Sequence, residues 1–345
     1  MKMKNKHKNI PIFIPHMGCP NMCVFCNQRK ISGKTCFDIS NVEEDIERAL
    51  STIDPADEVE IAYFGGSFTG IDRSLMISLL DIAERFIRRA DDGRARIVGV
   101  RMSTRPDYIN GEILDILESY TVSAIELGLQ SMDDEVLTAT KRGHTAADAE
   151  LACRLIKERG YYLVGQMMIG LPASSMEKEI YTARKLCEMG CDGARIYPTV
   201  VFYDTELGCM TERGEYTPLE LEDAVQRSAA ALIELQRCGV DCIRIGLCAS
   251  DNLSDASCVM GGANHPAMGE LVLGELYFSR MCEQIERMSQ GKEYKTAEFC
   301  VPYGDVSKLL GQRGRNRERI KKRFGIEKIK ITETDIDKIR LISLS

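Results

Sequence analysis

Short apolar runs and amphipathic segments alternate along the chain from residue 12 to about residue 248. The apolar, β-branched runs are Ile12–Ile14, Val59–Phe64, Arg96–Met102, Ala124–Leu129, Tyr162–Ile169, Ala194–Val201 and Asp241–Leu247. Apolar residues at three- and four-residue spacing predict helices between them, over 41–52, 72–89, 111–119, 146–159, 175–189 and 218–238. Repeated strand–helix units indicate a parallel sheet covered by helices. We therefore expect an α/β fold, a partial (β/α)6-type parallel barrel with its chemistry at the carboxyl ends of the strands.

The carboxyl-terminal part of the chain has a different pattern. From about Asn252 a Gly- and Asn-rich loop leads to a helix predicted over Glu270–Met288, and Gln290-Gly291-Lys292 marks a boundary. The pattern that follows predicts a strand, a helix, a Gly-x-x-Gly loop, a second helix and a strand. The expected organisation is a basic amino-terminal arm (1–9), a core barrel (10–250), a loop with a linking helix (251–290) and a small α+β module (291–345).

Composition narrows the setting in which the protein works. The chain has 345 residues, is 44% hydrophobic and contains no run that approaches the roughly 18 apolar residues of a membrane span. The lysine-led start is not followed by the apolar core of a signal peptide. We expect a cytoplasmic protein without a membrane partner. In that reducing compartment its 14 cysteines indicate thiols or metal ligands and not a disulfide framework.

Three cysteines directly follow the first predicted strand. Cys19, Cys23 and Cys26 have the spacing C-x3-C-x2-C, which gathers three thiolates in one loop without an adjacent fourth. A four-iron cluster normally takes four thiolates, so three leave one iron open for a reactant. The alternative is a structural zinc site completed by His16 or Cys36. The other eleven cysteines are expected to be buried thiols.

Further motifs follow the later strands. The cysteine motif followed by Gly65-Gly66-Ser67-Phe68-Thr69 resembles the radical SAM superfamily. Five more motifs occur in order: Ser103–Tyr108, Glu126–Ser131, Arg142–Thr145, Gly170–Pro172 and Arg195–Thr199. In this order and separation they resemble the catalytic subunit of Elongator and its bacterial and archaeal relatives, over roughly residues 10–250.

This resemblance implies two cofactors, a [4Fe-4S] cluster and S-adenosyl-L-methionine. In this superfamily the open iron chelates the amino and carboxylate groups of S-adenosylmethionine. The reduced cluster cleaves it to methionine and a 5'-deoxyadenosyl radical, which abstracts a substrate hydrogen. The resemblance also implies a reductant such as ferredoxin or flavodoxin. By the same resemblance Cys19, Cys23 and Cys26 are the cluster ligands.

The resemblance also carries over a set of cofactor-binding residues. The expected contacts to S-adenosylmethionine are Gly65, Gly66, Ser67, Thr104, Gln130, Arg142 and Gln166. The Gly pair allows close backbone approach, and a cation such as Arg142 suits a carboxylate. Each has a structural alternative, because Gly pairs often form only turns and polar side chains at strand ends often satisfy backbone groups. His144 is left open between acid–base work and helix capping. No catalytic residue is assigned.

The predicted helix–loop–helix near the carboxyl terminus is strongly basic. Residues 308–330 carry a net charge of +8, whereas the rest of the chain carries −15. The Gly-x-x-Gly loop between helices resembles the core of a KH domain, in which the loop clamps a nucleic-acid backbone. The alternative is a solvated basic helix. The expected RNA-binding residues are Gly311, Arg313, Gly314, Arg315, Arg317 and Lys321.

Together these features predict a radical SAM enzyme that acts on RNA, most specifically on a tRNA base. Elongator-type subunits also carry an acetyltransferase domain, but only about 95 residues follow the predicted barrel, so we expect no such domain here. Either a separate partner supplies the acetyl transfer or the chemistry differs. One alternative is a radical SAM enzyme for a small molecule such as a porphyrinogen. Another is a non-catalytic RNA-binding protein with a structural metal site. The sequence does not predict the oligomeric state.

Overall fold

A curled, seven-stranded parallel sheet forms the centre of the structure. The computed structural model describes residues 7–15, 17–19, 23–27, 37–89, 93–248, 253, 255 and 257–345. The strands of the large sheet are β1 His7–Ile14, β2 Glu58–Gly65, β3 Arg96–Thr104, β4 Val122–Gln130, β5 Tyr162–Ile169, β6 Gly193–Pro198 and β8 Asp241–Ile245. They pair in the order β1-β2-β3-β4-β5-β6-β8, every pair parallel. The predicted partial (β/α) barrel is confirmed.

Helices cover the outer face of this sheet. They are α1 Val42–Leu50, α2 Arg73–Ile87, α3 Gly111–Leu117, α4 Asp134–Ala139, α5 Ala146–Glu158, α6 Met176–Glu188, α7 Glu206–Glu212 and α8 Leu221–Arg237. Polar side chains cap most of their first turns; Thr145 caps α5 in a reciprocal capping box with Asp148. The apolar stripes of α1, α2, α3, α5, α6 and α8 pack on the strands in one large core, whereas Leu207 of α7 lies in a small separate cluster with Val24 and Val201. This packing leaves the strand ends free to carry polar side chains.

One predicted strand is split. The run Ala194–Val201 was expected to be continuous, but β6 ends at Pro198 and a separate strand, β7 Val200–Phe202, follows. Pro198 has no N–H to continue a ladder. Thr199 then turns the chain by donating both its N–H and its hydroxyl to the carbonyl of Ile169, at 2.9 and 2.7 Å. As a result β7 leaves the large sheet and pairs antiparallel with β9 Val259–Gly262.

The carboxyl-terminal residues build a second, smaller core. The elements are α9 Met268–Ser289, β10 Thr296–Pro302, α10 Val306–Leu310, α11 Arg315–Phe324, β11 Lys328–Thr334 and β12 Arg340–Leu344. Their sheet has the order β11-β10-β12. The first part of α9 packs on the barrel, and its second part, from Tyr277 onward, packs on this module. The predicted order of elements is present, while the KH resemblance and the domain boundaries stay predictions.

Among the described residues, no helix is long and apolar enough to cross a membrane.

Candidate cluster and cofactor site

A cavity of about 270 Å³ opens at the carboxyl ends of the barrel strands. Nine of the ten predicted cluster and cofactor residues line it: Cys19, Cys23, Cys26, Gly65, Gly66, Thr104, Gln130, Arg142 and Gln166. The tenth, Ser67, is fully buried behind the cavity wall. The sequence therefore identified the residues that the fold brings together, although their roles stay predictions.

The cysteine loop is held against the turn after β2 by close backbone contacts. A Cβ atom on Gly66 would lie 2.0 Å from the carbonyl oxygen of Met17, and one on Gly18 would lie 2.2 Å from that of Ser67. The Ser67 N–H donates to the Met17 carbonyl at 2.9 Å. Gly65 has a φ of 110°, which other residues rarely adopt. The Gly pair is therefore needed for packing, because it allows the loop that carries the thiols to lie directly against the turn after β2.

The three cysteines of the loop offer thiol donors to the cavity. Cys23 is buried, Cys26 is half-buried and Cys19 is exposed at the rim of the cavity. Among the described residues no three His, Cys, Asp or Glu side chains converge closely enough to hold one metal ion. His16 and Cys36, needed for the alternative zinc site, lie outside the described residues. The donor set therefore fits a [4Fe-4S] cluster, since iron–sulfur clusters are held by Cys thiolates.

Arg142 brings positive charge to the thiols. Its Nη1 donates to the Cys23 sulfur at 3.2 Å, and its Nη2 donates to the Gly128 carbonyl at 2.5 Å. Desolvation raises the pKa of the Cys19 thiol, while Arg105 and Arg142 oppose that shift. A guanidinium beside a thiol favours the thiolate, the form that binds metal.

Gln130 closes β4 in a strained backbone conformation. Its φ is 66°, unusual for a residue other than glycine. Its side-chain oxygen is buried and finds no hydrogen-bond partner among the described residues. Strained residues with unused polar atoms concentrate at ligand sites. This geometry suits contact with a bound ligand.

The hydroxyls of Ser67 and Thr104 are engaged with the protein itself. Thr104 Oγ1 lies 2.9 Å from Ser67 Oγ and 2.6 Å from Thr69 Oγ1. Ser67 Oγ also accepts a hydrogen bond from the Arg105 N–H at 3.1 Å. These contacts fasten the turn after β2 to the end of β3. Ser67 satisfies a backbone group, as in the structural alternative, whereas Thr104 contacts only side-chain hydroxyls in these hydrogen bonds.

A charged layer that sequence reasoning left without a role forms part of the cavity wall. Glu126 is completely buried and accepts from Arg195 Nε at 2.7 Å and Nη2 at 2.8 Å. Gln166 donates to the same carboxylate at 2.8 Å and to Ser103 Oγ at 3.2 Å. Arg101 adds a contact to Glu126 at 3.2 Å. The amide group of Gln166 is thus oriented by this layer toward the cavity.

Arg105 is a second residue that was overlooked. Asp107 binds its Nε at 2.9 Å and its Nη2 at 2.8 Å, so the guanidinium is held rigidly. The residue lines the cavity, and its buried Nη1 has no hydrogen-bond partner among the described residues. The spacing of Arg105 and Asp107 within the motif Ser103–Tyr108 was the available signal.

Cys248 and His144 differ from expectation. Cys238 and Cys248 were expected to be buried thiols, but both are exposed. Cys248 also lines the cavity, because it follows the last strand of the large sheet. His144 is buried, and neither ring nitrogen has a partner among the described residues. Burial lowers the pKa of His144 to about 4, and Arg142 adds to the shift. Thr145 alone caps the helix, so the capping role expected of the pair belongs to Thr145.

The glycine loop of the carboxyl-terminal module has a separate surface. Gly311 and Gly314 have φ values of 71° and 74°, and Arg313 between them has 55°. A Cβ on Gly311 would lie 2.9 Å from Asn316, whereas Gly314 faces open space. Arg315 forms an ion pair with Glu222. The remaining predicted RNA contacts, Arg317 and Lys321, are exposed.

These features define a β/α-barrel enzyme with a thiol-lined cavity at its strand ends. The chain belongs to the radical SAM superfamily: the model of that superfamily matches residues 13–186, and the model of the Radical_SAM C-terminal domain matches residues 191–277.

The proteins that the chain resembles include Elongator subunits and tRNA-modifying enzymes. The chain is 29% identical to Elongator complex protein 3 of Schizosaccharomyces pombe over 54% of its length, and 29% identical to the tRNA uridine(34) acetyltransferase of Methanocaldococcus infernus over 52%. The matched segment spans only 37% of each relative. The solved structure of M. infernus Elp3, lacking residues 1–46, superposes with a TM-score of 0.63 at 21% identity, covering 81% of this chain and 68% of that one. The predicted radical SAM enzyme is confirmed, and the Elongator proteins among the matches agree with the resemblance found in the sequence.

Proposed function

We propose that this enzyme modifies RNA, with a tRNA base as its substrate, and that Cys19, Cys23 and Cys26 bind its [4Fe-4S] cluster. When bound, the cluster supplies one electron that cleaves S-adenosylmethionine to methionine and a 5'-deoxyadenosyl radical. The observation that carries this proposal is the convergence of the three thiols and the expected cofactor residues on one cavity.

The chain's own residues prepare the cavity for these groups. Arg142 donates to the Cys23 sulfur and places a positive charge beside it. The unused oxygen of Gln130 offers an acceptor, and the unused Nη1 of Arg105 offers a charged donor for a carboxylate. At Gly66 the turn presents backbone where any side chain would collide with the Met17 carbonyl of the cysteine loop. Each of these groups is fixed before a ligand arrives, so little reorganisation opposes binding.

The Glu126 layer orients the deeper wall of the cavity. Glu126 holds Arg195 through two hydrogen bonds and Gln166 through a third. Such fixed dipoles replace water around a polar ligand and keep solvent away from a reactive intermediate. The wall is therefore polar and ordered, as the orientation of a nucleobase and a ribose requires.

The choice of RNA as substrate has two supports. Residues 308–330 concentrate a charge of +8 in an otherwise acidic chain. The names of matched relatives include a tRNA uridine(34) acetyltransferase. In this proposal the module binds the RNA backbone while the barrel performs the chemistry. The enzyme works in the cytoplasm with a reductant of the ferredoxin or flavodoxin class.

The test measures whether RNA stimulates the enzyme. The reconstituted protein is given S-adenosylmethionine and dithionite under anaerobic conditions, with bulk tRNA, with a porphyrinogen or with neither. We expect tRNA alone to accelerate the formation of 5'-deoxyadenosine and to acquire a mass change. Acceleration by the porphyrinogen would support the small-molecule alternative. Binding of tRNA by a protein that never cleaves S-adenosylmethionine would support the non-catalytic alternative.

A further inference from the structure

The arginines of α11 divide between two faces of the helix. Three of them, spaced four residues apart, turn toward the rest of the protein and form ion pairs with glutamates of α8 and α9. The pairs are Arg315 with Glu222, Arg319 with Glu275, and Arg323 with Glu286. We call these three arginines the inner face of α11. One of them, Arg315, is among the residues expected to bind RNA.

The inner face docks the module on α9. Arg319 Nη2 donates to Glu275 at 3.0 Å, and its guanidinium carbon lies 3.5 Å from the centre of the Phe278 ring. Beside it the buried Asn316 donates to the carbonyls of Gly274 at 2.8 Å and Leu309 at 3.1 Å. A partly buried ion pair stacked on an aromatic ring fixes orientation well. The position of α11 on α9 is therefore specified.

This docking determines where the glycine loop lies. Glu222, the partner of Arg315, is in the first turn of α8, and helices of β/α units begin at the carboxyl ends of the strands. The start of α9 is at the same end, because a Cβ on Gly246 just after β8 would lie 2.9 Å from the Met268 side chain. The loop adjoins α9 about 1.7 turns further on, where a Cβ on Gly274 would lie 3.6 Å from Gly311. The loop therefore lies at the end of the barrel where the cavity opens.

The opposite side of the loop and helix is basic and exposed. Among the described residues Arg313 and Lys321 form no ion pair, and Arg317 contacts only the exposed Glu318, at 3.3 Å. We call Arg313, Arg317 and Lys321 the outer face. The rest of the chain carries a charge of −15 and repels a polyanion.

We infer that the outer face is the phosphate-contact surface of this enzyme, and that it positions one stretch of an RNA strand so that a neighbouring stretch reaches the cavity. The inner-face arginines, Arg315 included, set the position of the module and make no essential phosphate contact. The inference rests on the proposed function, because it takes the substrate to be RNA. It adds which side chains contact the RNA and from which end of the barrel the RNA approaches.

The test uses two variants that lose the same charge on opposite faces. Arg317→Gln and Arg315→Gln are two residues apart on one helix, and both side chains are about half exposed, at 59% and 48%. Binding of tRNA is measured by filter retention from 50 to 200 mM salt. Each lost phosphate contact lowers the slope of log K against log salt by about 0.7 to 0.9. We expect that loss for Arg317→Gln, a loss of about two to three for the variant neutralised at all of Arg313, Arg317 and Lys321, and an unchanged slope for Arg315→Gln.

Hydrogen exchange of the same complexes tests the direction of approach. Bound tRNA should protect the backbone of residues 311–321 and also of residues 203–205, which follow Phe202 on the cavity wall. Failure of the wild-type protein to bind tRNA at 50 mM salt would contradict the proposed function itself. Binding that both single variants weaken equally, protection limited to 311–321, or equal competition by an acidic peptide would overturn only the present inference.

Discussion

From the buried carboxylate of Glu126 we predict how much the substitution Glu126→Gln lowers the free energy of unfolding. Glu126 is 0% exposed and receives two hydrogen bonds from Arg195, whose side chain is 11% exposed. Among the described residues Arg195 has no other carboxylate partner. In Glu126→Gln the shape of the side chain is kept, but the charge is lost and an amide N–H replaces one acceptor. The guanidinium of Arg195 is then a buried charge without a counter-charge.

The expected cost follows from that unpaired charge. Removing one partner of a buried ion pair costs about 3 to 5 kcal/mol, whereas removing one partner of an exposed pair costs about 0 to 1 kcal/mol. Arg101 loses less, because Glu60 still accepts from it at 2.7 Å. We expect Glu126→Gln to lower the free energy of unfolding by about 3 to 5 kcal/mol.

The assay is urea unfolding with a matched control. Glu215→Gln removes a carboxylate whose side chain is 51% exposed and which pairs with Arg213 at the surface, so it should leave the free energy of unfolding close to that of the wild type. A double variant that also changes Arg195 to Met should recover part of the loss, because it removes the stranded charge. The reasoning would be refuted by a loss under about 1 kcal/mol for Glu126→Gln, or by a double variant that shows the sum of both single losses.

Three further predictions concern the cavity and its surroundings. Gly66→Ala places a methyl group against the Met17 carbonyl and should lower the iron bound after reconstitution at least severalfold. The control Gly111→Ala has open space around it and should bind as much iron as the wild type. Equal iron content in the two variants would contradict this prediction. Arg105→Gln should weaken the binding of S-adenosylmethionine by about 10- to 100-fold, because it removes a charge-assisted hydrogen bond from the unpartnered Nη1. Equilibrium dialysis measures the affinity. An unchanged affinity would show that Nη1 does not contact S-adenosylmethionine. The pKa of His144 is about 4 in the folded protein, below its ordinary value of 6.5. Between pH 6.5 and pH 4 the unfolded chain therefore binds a proton at His144 that the folded protein does not bind, so stability falls as the pH falls through this range. Urea unfolding is measured at pH 6.5 and at pH 4. Between these two values His144→Gln should lose about 3 kcal/mol less stability than the wild type loses. The same pH dependence in both proteins would contradict a buried, neutral His144.

Periodicity predicted the barrel because a parallel strand buried on both faces leaves an apolar run that is visible in one dimension. The split after Pro198 was not predicted, since the residues on both sides of it are equally apolar. What turns the chain there is the contact of Thr199 with Ile169, which lies on a neighbouring strand.

In the candidate site too, the sequence predicts the residues that stand close together along the chain and misses those that meet only in the folded protein. The cysteines and the Gly pair stand in short, ordered spacings that can be recognised along the chain. The partners of Glu126 come from three other strands, so no local spacing records them. A run of arginines in the sequence also does not reveal which of them form ion pairs across the fold. Arg315 and Arg319 differ from Arg317 only because glutamates of α8 and α9 lie beside them in the folded protein.

The central claim is that the three thiols hold a cluster that cleaves S-adenosylmethionine. The most direct measurement is anaerobic reconstitution of wild type, Cys23→Ala and Cys209→Ala, followed by iron and sulfide analysis and by assay of 5'-deoxyadenosine with S-adenosylmethionine and dithionite. Cys209 is a half-buried thiol outside the cavity and serves as the control. The account predicts about four irons per chain and nucleoside formation in wild type and Cys209→Ala, both lost in Cys23→Ala. Zinc in place of iron, or a full cluster that never yields 5'-deoxyadenosine, would contradict it.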